Sequence, residues 1–377
     1  MSQIALSMTL LAAAGLLVKS FARLMTVDPG YRHENVALAY IGLSPTRYPE
    51  AAQRADFFHS LEAMLEAHPG VQGVTRSDGR GFRSNVALEA EGRLPPRNQP
   101  YRIPSATIAP DYLDVMGVQL VAGRGFTAGD ANTDAVIIDL DLARFLWADD
   151  AVGRRFRLGD DGEWLNVVGV VRDLRLMGRD QREGPYQILY PAAPESAGGW
   201  VQVAVHTAGD PATILDVIRD AVAALDPQQT IWQLQTAADA LADDAAEPRF
   251  LVTLMGLLAI IAVVLAAVGL YGVLSYSVAR RDRELAVRMA VGADARRLRA
   301  MVLGEGLAVT IGGVTLGILG TSAVSRLIEK LLYEVPPHDT ATLAATTSLL
   351  LAVAALASLL PARRATRVNP SEILRRD

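Results

Sequence analysis

The chain has 377 residues, of which 51% are apolar, with a mean hydropathy of +0.23, a net charge of −5 and no cysteine. A length of this order holds two or three structural units, and an apolar share above that of an ordinary soluble domain makes membrane segments the first feature to seek. The lack of cysteine excludes disulfides, thiolate metal sites and cysteine nucleophiles.

Residues 1–18, MSQIALSMTLLAAAGLLV, are uncharged and are followed by Lys19 and Arg23. A signal peptide carries its positive charge before the apolar stretch, so this order predicts a membrane helix over 1–24 instead. Residues 25–248 then read as a complete soluble domain placed ahead of the next span. It opens with a strand at 36–43 and a helix at 49–67, where Phe57, Phe58, Leu61, Met64 and Leu65 share one face. Pro69 and Gly70 break the helix before a strand at 71–75. The same order returns at the far end: strand 200–207, helix 211–225 with Ile214, Ile218, Val222 and Leu225 in line, and strand 230–234. Between these units lie strands on either side of a short helix at 111–116, then strands at 135–139 and 164–176. The expected fold class is a membrane α-helical protein of four spans with a large α+β two-lobed domain between helices 1 and 2.

Residues 250–279 form an uncharged run of thirty, more than the roughly 20 that a helix needs to cross a bilayer. We assign 249–279 as the second span, 301–325 as the third, with Glu305 as its single charge, and 340–362 as the fourth. Residues 280–299 carry seven arginines against Asp282, Glu284 and Asp294, and 361–377 carry five against Glu372 and Asp377. The short loop 326–339 has only Arg326 and Lys330 against Glu329, Glu334 and Asp339. The positive-inside rule puts the 280–300 loop, the 363–377 tail and both termini in the cytoplasm, and the large domain on the other side of the membrane. Gly313 and Gly317 form a GxxxG pair that permits close helix packing.

A nucleotide site would need a P-loop lysine. Lys19 follows Val18 where glycine is required, and Lys330 sits in LIEKLLY, so no Walker A motif exists and no cofactor is expected in this chain. His33, His59, His68, His206 and His338 show no metal-ligand spacing, and no GxSxG elbow occurs. No enzyme is expected. The GRGF stretches at 79–82 and 123–126 read as turns. In the basic loop, Glu284 and Arg288 stand four apart in the favourable order, while Leu285, Ala286, Met289 and Ala293 share an apolar face. Gly292 ends that helix and Asp294 caps a second one running into the third span. Arginines that only set topology and touch anionic lipid would not need an apolar face. A tether of about twenty residues between two spans excludes nucleic acid.

RDRELAVRMAVGA (281–293) resembles the cytoplasmic loop of MacB/FtsX-type ABC transporter permeases, and LLPARRATRVNPSEILR (359–375) resembles the ending of the same family. YLDVMGVQLVAGRGFTAGD (112–130), DLARFLW (141–147) and WLNVVGVVRDLR (164–175) are similar to its MacB-like periplasmic core domain. The opening, residues 5–31, is similar to the midpoint of duplicated orphan permeases, so a single unit or half of such a pair is expected. The resemblance implies a permease acting as a homodimer or pseudo-dimer. A cytoplasmic ABC ATPase would bind the ATP and dock through Arg281, Glu284, Arg288, Ala290, Gly292 and Ala293; Leu285 and Ala286 depart from the commoner Ile and Gly. A periplasmic adaptor and membrane lipid are further expected partners. The implied function is transmission of ATP-driven motion to the periplasmic domain for export or efflux. The alternative is a non-transporting scaffold that regulates a periplasmic enzyme.

Overall fold

The computed structural model describes residues 2–26, 28–86, 88–91, 101–147, 150–159, 162–172, 174–175, 187–192, 200–281, 295–328, 335–336 and 339–365. The chain forms two compact units, Val27–Ala246, and Met1–Thr26 together with Glu247–Asp377.

After a first helix, α1 (Ser2–Thr26), the soluble unit opens with β1 (Val36–Gly42), α2 (Ala51–Glu66) and a long β2 (Val71–Val86). Next come β3 (Leu88–Ala90), β4 (Tyr101–Ile108), the single turn α3 (Tyr112–Val115) and β5 (Leu120–Gly123). The second part holds β6 (Ala135–Asp139), α4 (Leu140–Trp147), β7 (Arg155–Leu158), β8 (Trp164–Val171) and β9 (Ile188–Pro191). The unit closes with β10 (Trp200–Thr207), α5 (Ala212–Leu225), β11 (Ile231–Thr236) and α6 (Ala237–Asp244).

The two strand-helix-strand units expected at the ends of the domain do not stand apart. Their strands interleave in the order β11-β1-β10-β2, each neighbour antiparallel, which is the split βαβ arrangement. The composition of β1 follows from this position. Val36 and Leu38 enter one core, while Ala37, Ala39 and Ile41 enter the other, so the strand is apolar on both faces. On the second face lie Phe57, Phe58, Leu61 and Leu65 of α2 and Ile214, Ile218 and Val222 of α5. Met64, placed on this face by periodicity, is 41% exposed, because the apolar stripe of α2 is narrower than its apolar spacing suggests.

The sheet continues from β2 through β4, β9, β6, β8 and β7 to β3, and β5 pairs with β8. Leu142 and Leu146 of α4 cover this second lobe against Val136, Ile138, Phe156 and Val170. The stretch at 79–82, expected as a turn, runs inside β2, whose pairing with β4 shifts register between Asp78 and Gly81. Glycine there marks an irregularity within a strand.

Asp139, at the junction of β6 and α4, is 2% exposed, and its Oδ1 accepts the N–H groups of Gln187 (2.9 Å) and Leu142 (3.3 Å). Burial pushes its carboxyl up to about 8 against the lowering effect of those donors, and burial likewise raises Glu62, beside Arg76, to about 7. Both folded-state values exceed the unfolded ones near 4, so the native state holds more protons across this window. Their stabilisation is fully present below about pH 4 and is lost as pH rises towards 8. Asp139→Asn keeps both acceptor bonds and removes the ionisation. Denaturant melts at pH 5 and pH 8 should therefore show the variant losing about 3 kcal/mol less than the parent over that interval.

The second unit holds α1, α7 (Ala246–Arg280), α8 (Ala295–Ile328) and α9 (Thr340–Ala365), all four long and apolar enough to cross a membrane. Small residues set their spacing. A Cβ on Gly15 of α1 would stand 2.8 Å from Thr342 Cγ2 of α9, and one on Gly320 of α8 would stand 2.8 Å from Thr9 Oγ1 of α1. On its α7 side, α1 donates from Gln3 Nε2 to Leu265 O (2.7 Å) and from Ser7 Oγ to Ala262 O (2.8 Å). Ile4 and Met8 of α1 share a core with Ala266, Val314 and Leu350. At the other end of α1, Lys19 Nζ donates to Asp339 Oδ1 at 2.8 Å, while Asp339 Oδ2 caps α9 by accepting from Thr342 N at 2.9 Å.

Candidate functional site

The basic loop joins the end of α7 to the start of α8. Glu284, Arg288, Ala290, Gly292 and Ala293 lie outside the described residues, and Arg281 is the one member of the expected coupling set within them. Its backbone N–H still donates to Val278 O (3.0 Å), so the chain leaves α7 in a helical turn. Its side chain reaches across the loop, with Nη1 donating to Glu305 Oε1 at 2.7 Å. Glu305 thus has an arginine partner from just beyond the end of α7, and not from the arginines just ahead of it on α8.

This ion pair is half exposed, at 50% and 38%, and in water such a pair contributes about 0–1 kcal/mol. Apolar packing beneath it does more of the holding. Leu298 and Val302 of α8 are buried with Val278 of α7 and with Met301 and Leu303. One turn further, a Cβ on Gly306 would stand 2.5 Å from Ser358 Oγ of α9 and 3.1 Å from Leu274 Cδ1 of α7, so three helices converge on a bare glycine. Leu270, Leu274 and Ala354 continue this contact with Val309 and Ala357. Both ends of the basic loop are consequently fixed to one packed helix junction. Among the described residues the junction is built from apolar side chains, a bare glycine and one ion pair. It can transmit a displacement, because packed helices move as bodies.

Gly313 is buried, and Gly317 lies against α1 of the same chain, where a Cβ would stand 2.5 Å from Met8 Cβ and 2.9 Å from Ala5 O. In the soluble unit, the family-like stretch 123–130 is a structural corner. Gly123 takes φ +76 under Val168 O, Arg124 forks onto Asp130 (2.7 and 2.8 Å), and Asp130 Oδ2 accepts from Thr127 N and Oγ1 (2.7 Å each). Among the described residues, no three His, Asp or Glu side chains are grouped to hold a metal ion. His206 Nδ1 lies 3.1 Å from Arg32 Nη1, His68 Nδ1 accepts from Gly70 N, and His338 lies outside the described residues. Sequence spacing gave no sign of the Arg281–Glu305 pairing or of Gly306, since both depend on how α7, α8 and α9 meet.

Residues 1–241 match the family model described as MacB-like periplasmic core domain, and residues 256–370 match the one described as FtsX-like permease C-terminal. A protein of Chromobacterium violaceum named macrolide export ATP-binding/permease protein MacB is 27% identical over 81% of this chain and 48% of its own length. A protein of the same name from Sodalis glossinidius is 26% identical over 97% of this chain and 58% of its own length. The chain spans about half the length of the curated relatives it matches. The crystal structure of the periplasmic region of MacB from Actinobacillus actinomycetemcomitans is similar at 15% identity and a TM-score of 0.38, over 58% of this chain and 95% of that one.

Proposed function

The chain belongs to the family of permeases that join a MacB-like periplasmic core domain to an FtsX-like C-terminal region, and from that premise we propose that it transmits the motion of an ABC ATPase to its soluble domain for export or efflux. The observation that carries this reading is the clamped base of the basic loop. Arg281 and Glu305 bridge it, Leu298 and Val302 pack against Val278, and Gly306 brings α7, α8 and α9 together. A force applied to the loop from the cytoplasm would reach all three helices at once.

We assign the docking surface to Arg281, Glu284, Arg288, Ala290, Gly292 and Ala293, and ATP binding to an ATPase whose nucleotide site this sequence does not contain. The relatives are named for ATP binding and permease together, which supports such a pairing. We place the protein in a bacterial inner membrane with the loop and both termini cytoplasmic. The outward face of α7, where Phe250, Ile260, Val264, Val268 and Tyr276 are each more than half exposed, goes to lipid and, over part of it, to a second permease unit. A periplasmic adaptor is the expected partner of the soluble domain.

Affinity purification from membranes tests the docking assignment, with the co-purified ABC ATPase quantified by mass spectrometry. Arg288→Glu reverses one charge of the assigned surface, and Gly292→Trp puts a bulky side chain where the sequence predicts a helix break. Each should lower recovery of the ATPase about tenfold or more, the scale of one lost charge-assisted contact. Recovery equal to that of the unsubstituted chain would rule the assignment out.

A further inference from the structure

The soluble unit contains a cavity of about 500 Å³ that none of the foregoing uses, and three arginines line it: Arg32, Arg172 and Arg175. They come from two segments about 140 residues apart in sequence, and the fold fixes both. In the first, Gly30 reverses the chain at φ +78 with its N–H on Asp28 Oδ1 (3.0 Å), and Arg32 N donates to Met116 O (2.6 Å). In the second, Arg172 N donates to Gln119 O (3.0 Å) and Arg175 N to Pro29 O (2.9 Å), which ties the second segment to the first.

Three arginines face two carboxylates here, Asp28 and Glu34, and neither carboxylate pairs with Arg32. Arg32 is half-buried, and its side-chain partners are the carbonyl of Val115 (2.9 Å) and His206 Nδ1 (3.1 Å). Neither acceptor is a carboxylate, and burial together with the Arg32 charge holds His206 below its ordinary pKa, so the imidazole stays neutral at pH 7. The guanidinium lies across the bare backbone of Gly117, where a Cβ would stand 3.3 Å from Nη2. Arg172 is exposed to the cavity, and among the described residues neither it nor Arg32 has an ion-pair partner. Asp28 and Glu34 also line the cavity, but Asp28 holds the Gly30 turn. A partly buried guanidinium without a carboxylate partner, as at Arg32, is destabilising, and a fold that sets it on one cavity with Arg172 is arranged for an anion.

We propose that this cavity binds a phosphate oxyanion carried on an ester. A carboxylate offers two oxygens in one plane, which a single guanidinium fork satisfies, whereas a tetrahedral phosphate offers oxygens in several directions to several forks. The volume exceeds that of a bare phosphate and leaves room for the esterified group. A phospholipid head group and a soluble phosphate ester carry the same oxyanion, so either can supply the group. This site is independent of the ATPase reading.

The test is ³¹P NMR titration of the full chain in dodecyl maltoside micelles. The probes are inorganic phosphate and dihexanoyl phosphatidylglycerol. Arg172→Gln removes one fork and retains the backbone bond to Gln119, and it should weaken binding about tenfold. Glu34→Gln removes a nearby negative charge and should tighten binding about threefold, a gain that structural damage would not produce. Response to both probes, with these two effects, supports the site and a soluble source, whereas response to inorganic phosphate alone overturns the ester. Response to the phosphatidylglycerol alone, with the same effects, supports the site and a lipid source. The proposal is overturned if neither probe responds, if Arg172→Gln binds as tightly as the parent, or if Glu34→Gln fails to tighten binding.

Discussion

Gly317→Leu is expected to break the packing of the membrane-spanning unit, with a loss of about 3 kcal/mol or more and a severalfold fall in folded protein recovered in detergent. The first carbon of the new side chain would stand 2.5 Å from Met8 Cβ, 2.7 Å from Met8 Cγ and 2.9 Å from the carbonyl oxygen of Ala5. Non-bonded carbons settle near 3.5–4.0 Å, and Ala5 O is backbone, so no rotamer relieves the clash. The two helices must separate by about 1 Å or more. Separation forfeits the bond from Thr9 Oγ1 to Gly317 O (3.3 Å), opens the contact at Gly320 and uncovers Met8, which is now fully buried. In a bilayer the cost is lost packing, since lipid tails solvate a side chain about as well as another helix does. Gly304→Leu on the same helix is the control. Nothing lies within 4 Å of its Cβ position, and leucine is the better helix former by about 0.8 kcal/mol, so this variant should be recovered at least as well as the parent. Equal recovery of the two variants would show that α1 does not rest on Gly317.

What could be read in the sequence was the part governed by local period. The short apolar run VALAYIG and the helical spacing of Ile214, Ile218 and Val222 mark their elements directly, and the uncharged runs mark the apolar helices. What could not be read was pairing across distance. Register places Tyr40 beside Gln202, and no local signal says that the strands of the two end units alternate in one sheet. The same limit explains the misread details. Met64 has the spacing of a core residue, but its place on α2 falls beyond the edge of the sheet-facing stripe. Glu305 has arginines close in sequence, yet it binds Arg281, which lies 24 residues away and is brought near by antiparallel helices. The arginine cavity is the extreme case, because Arg32 and Arg172 look like ordinary surface charges until the fold sets them on one wall.

The corner at Gly123 carries the second large prediction, and it separates two reasons for needing glycine. Gly123→Ala would place a methyl 2.2 Å from Val168 O and 2.9 Å from Gly169 Cα, at a residue with φ +76. The obstructing atoms are backbone of β8, a strand held on its other side by β6, so they cannot withdraw. Relief requires β5 to detach, which also strips the cover from Val118 and Phe126 in the shared core. Gly159 has a nearly equal φ of +81, but a Cβ there meets nothing within 4 Å. Gly159→Ala therefore measures the left-handed strain alone, about 1–2 kcal/mol. Gly123→Ala adds a steric term to the same strain and should cost about 4–5 kcal/mol, at the severe end for a single substitution. Limited proteolysis of the full chain over a denaturant series reads both. Cleavage near β5 at low denaturant in Gly123→Ala, with Gly159→Ala close to the parent, is the expected pattern.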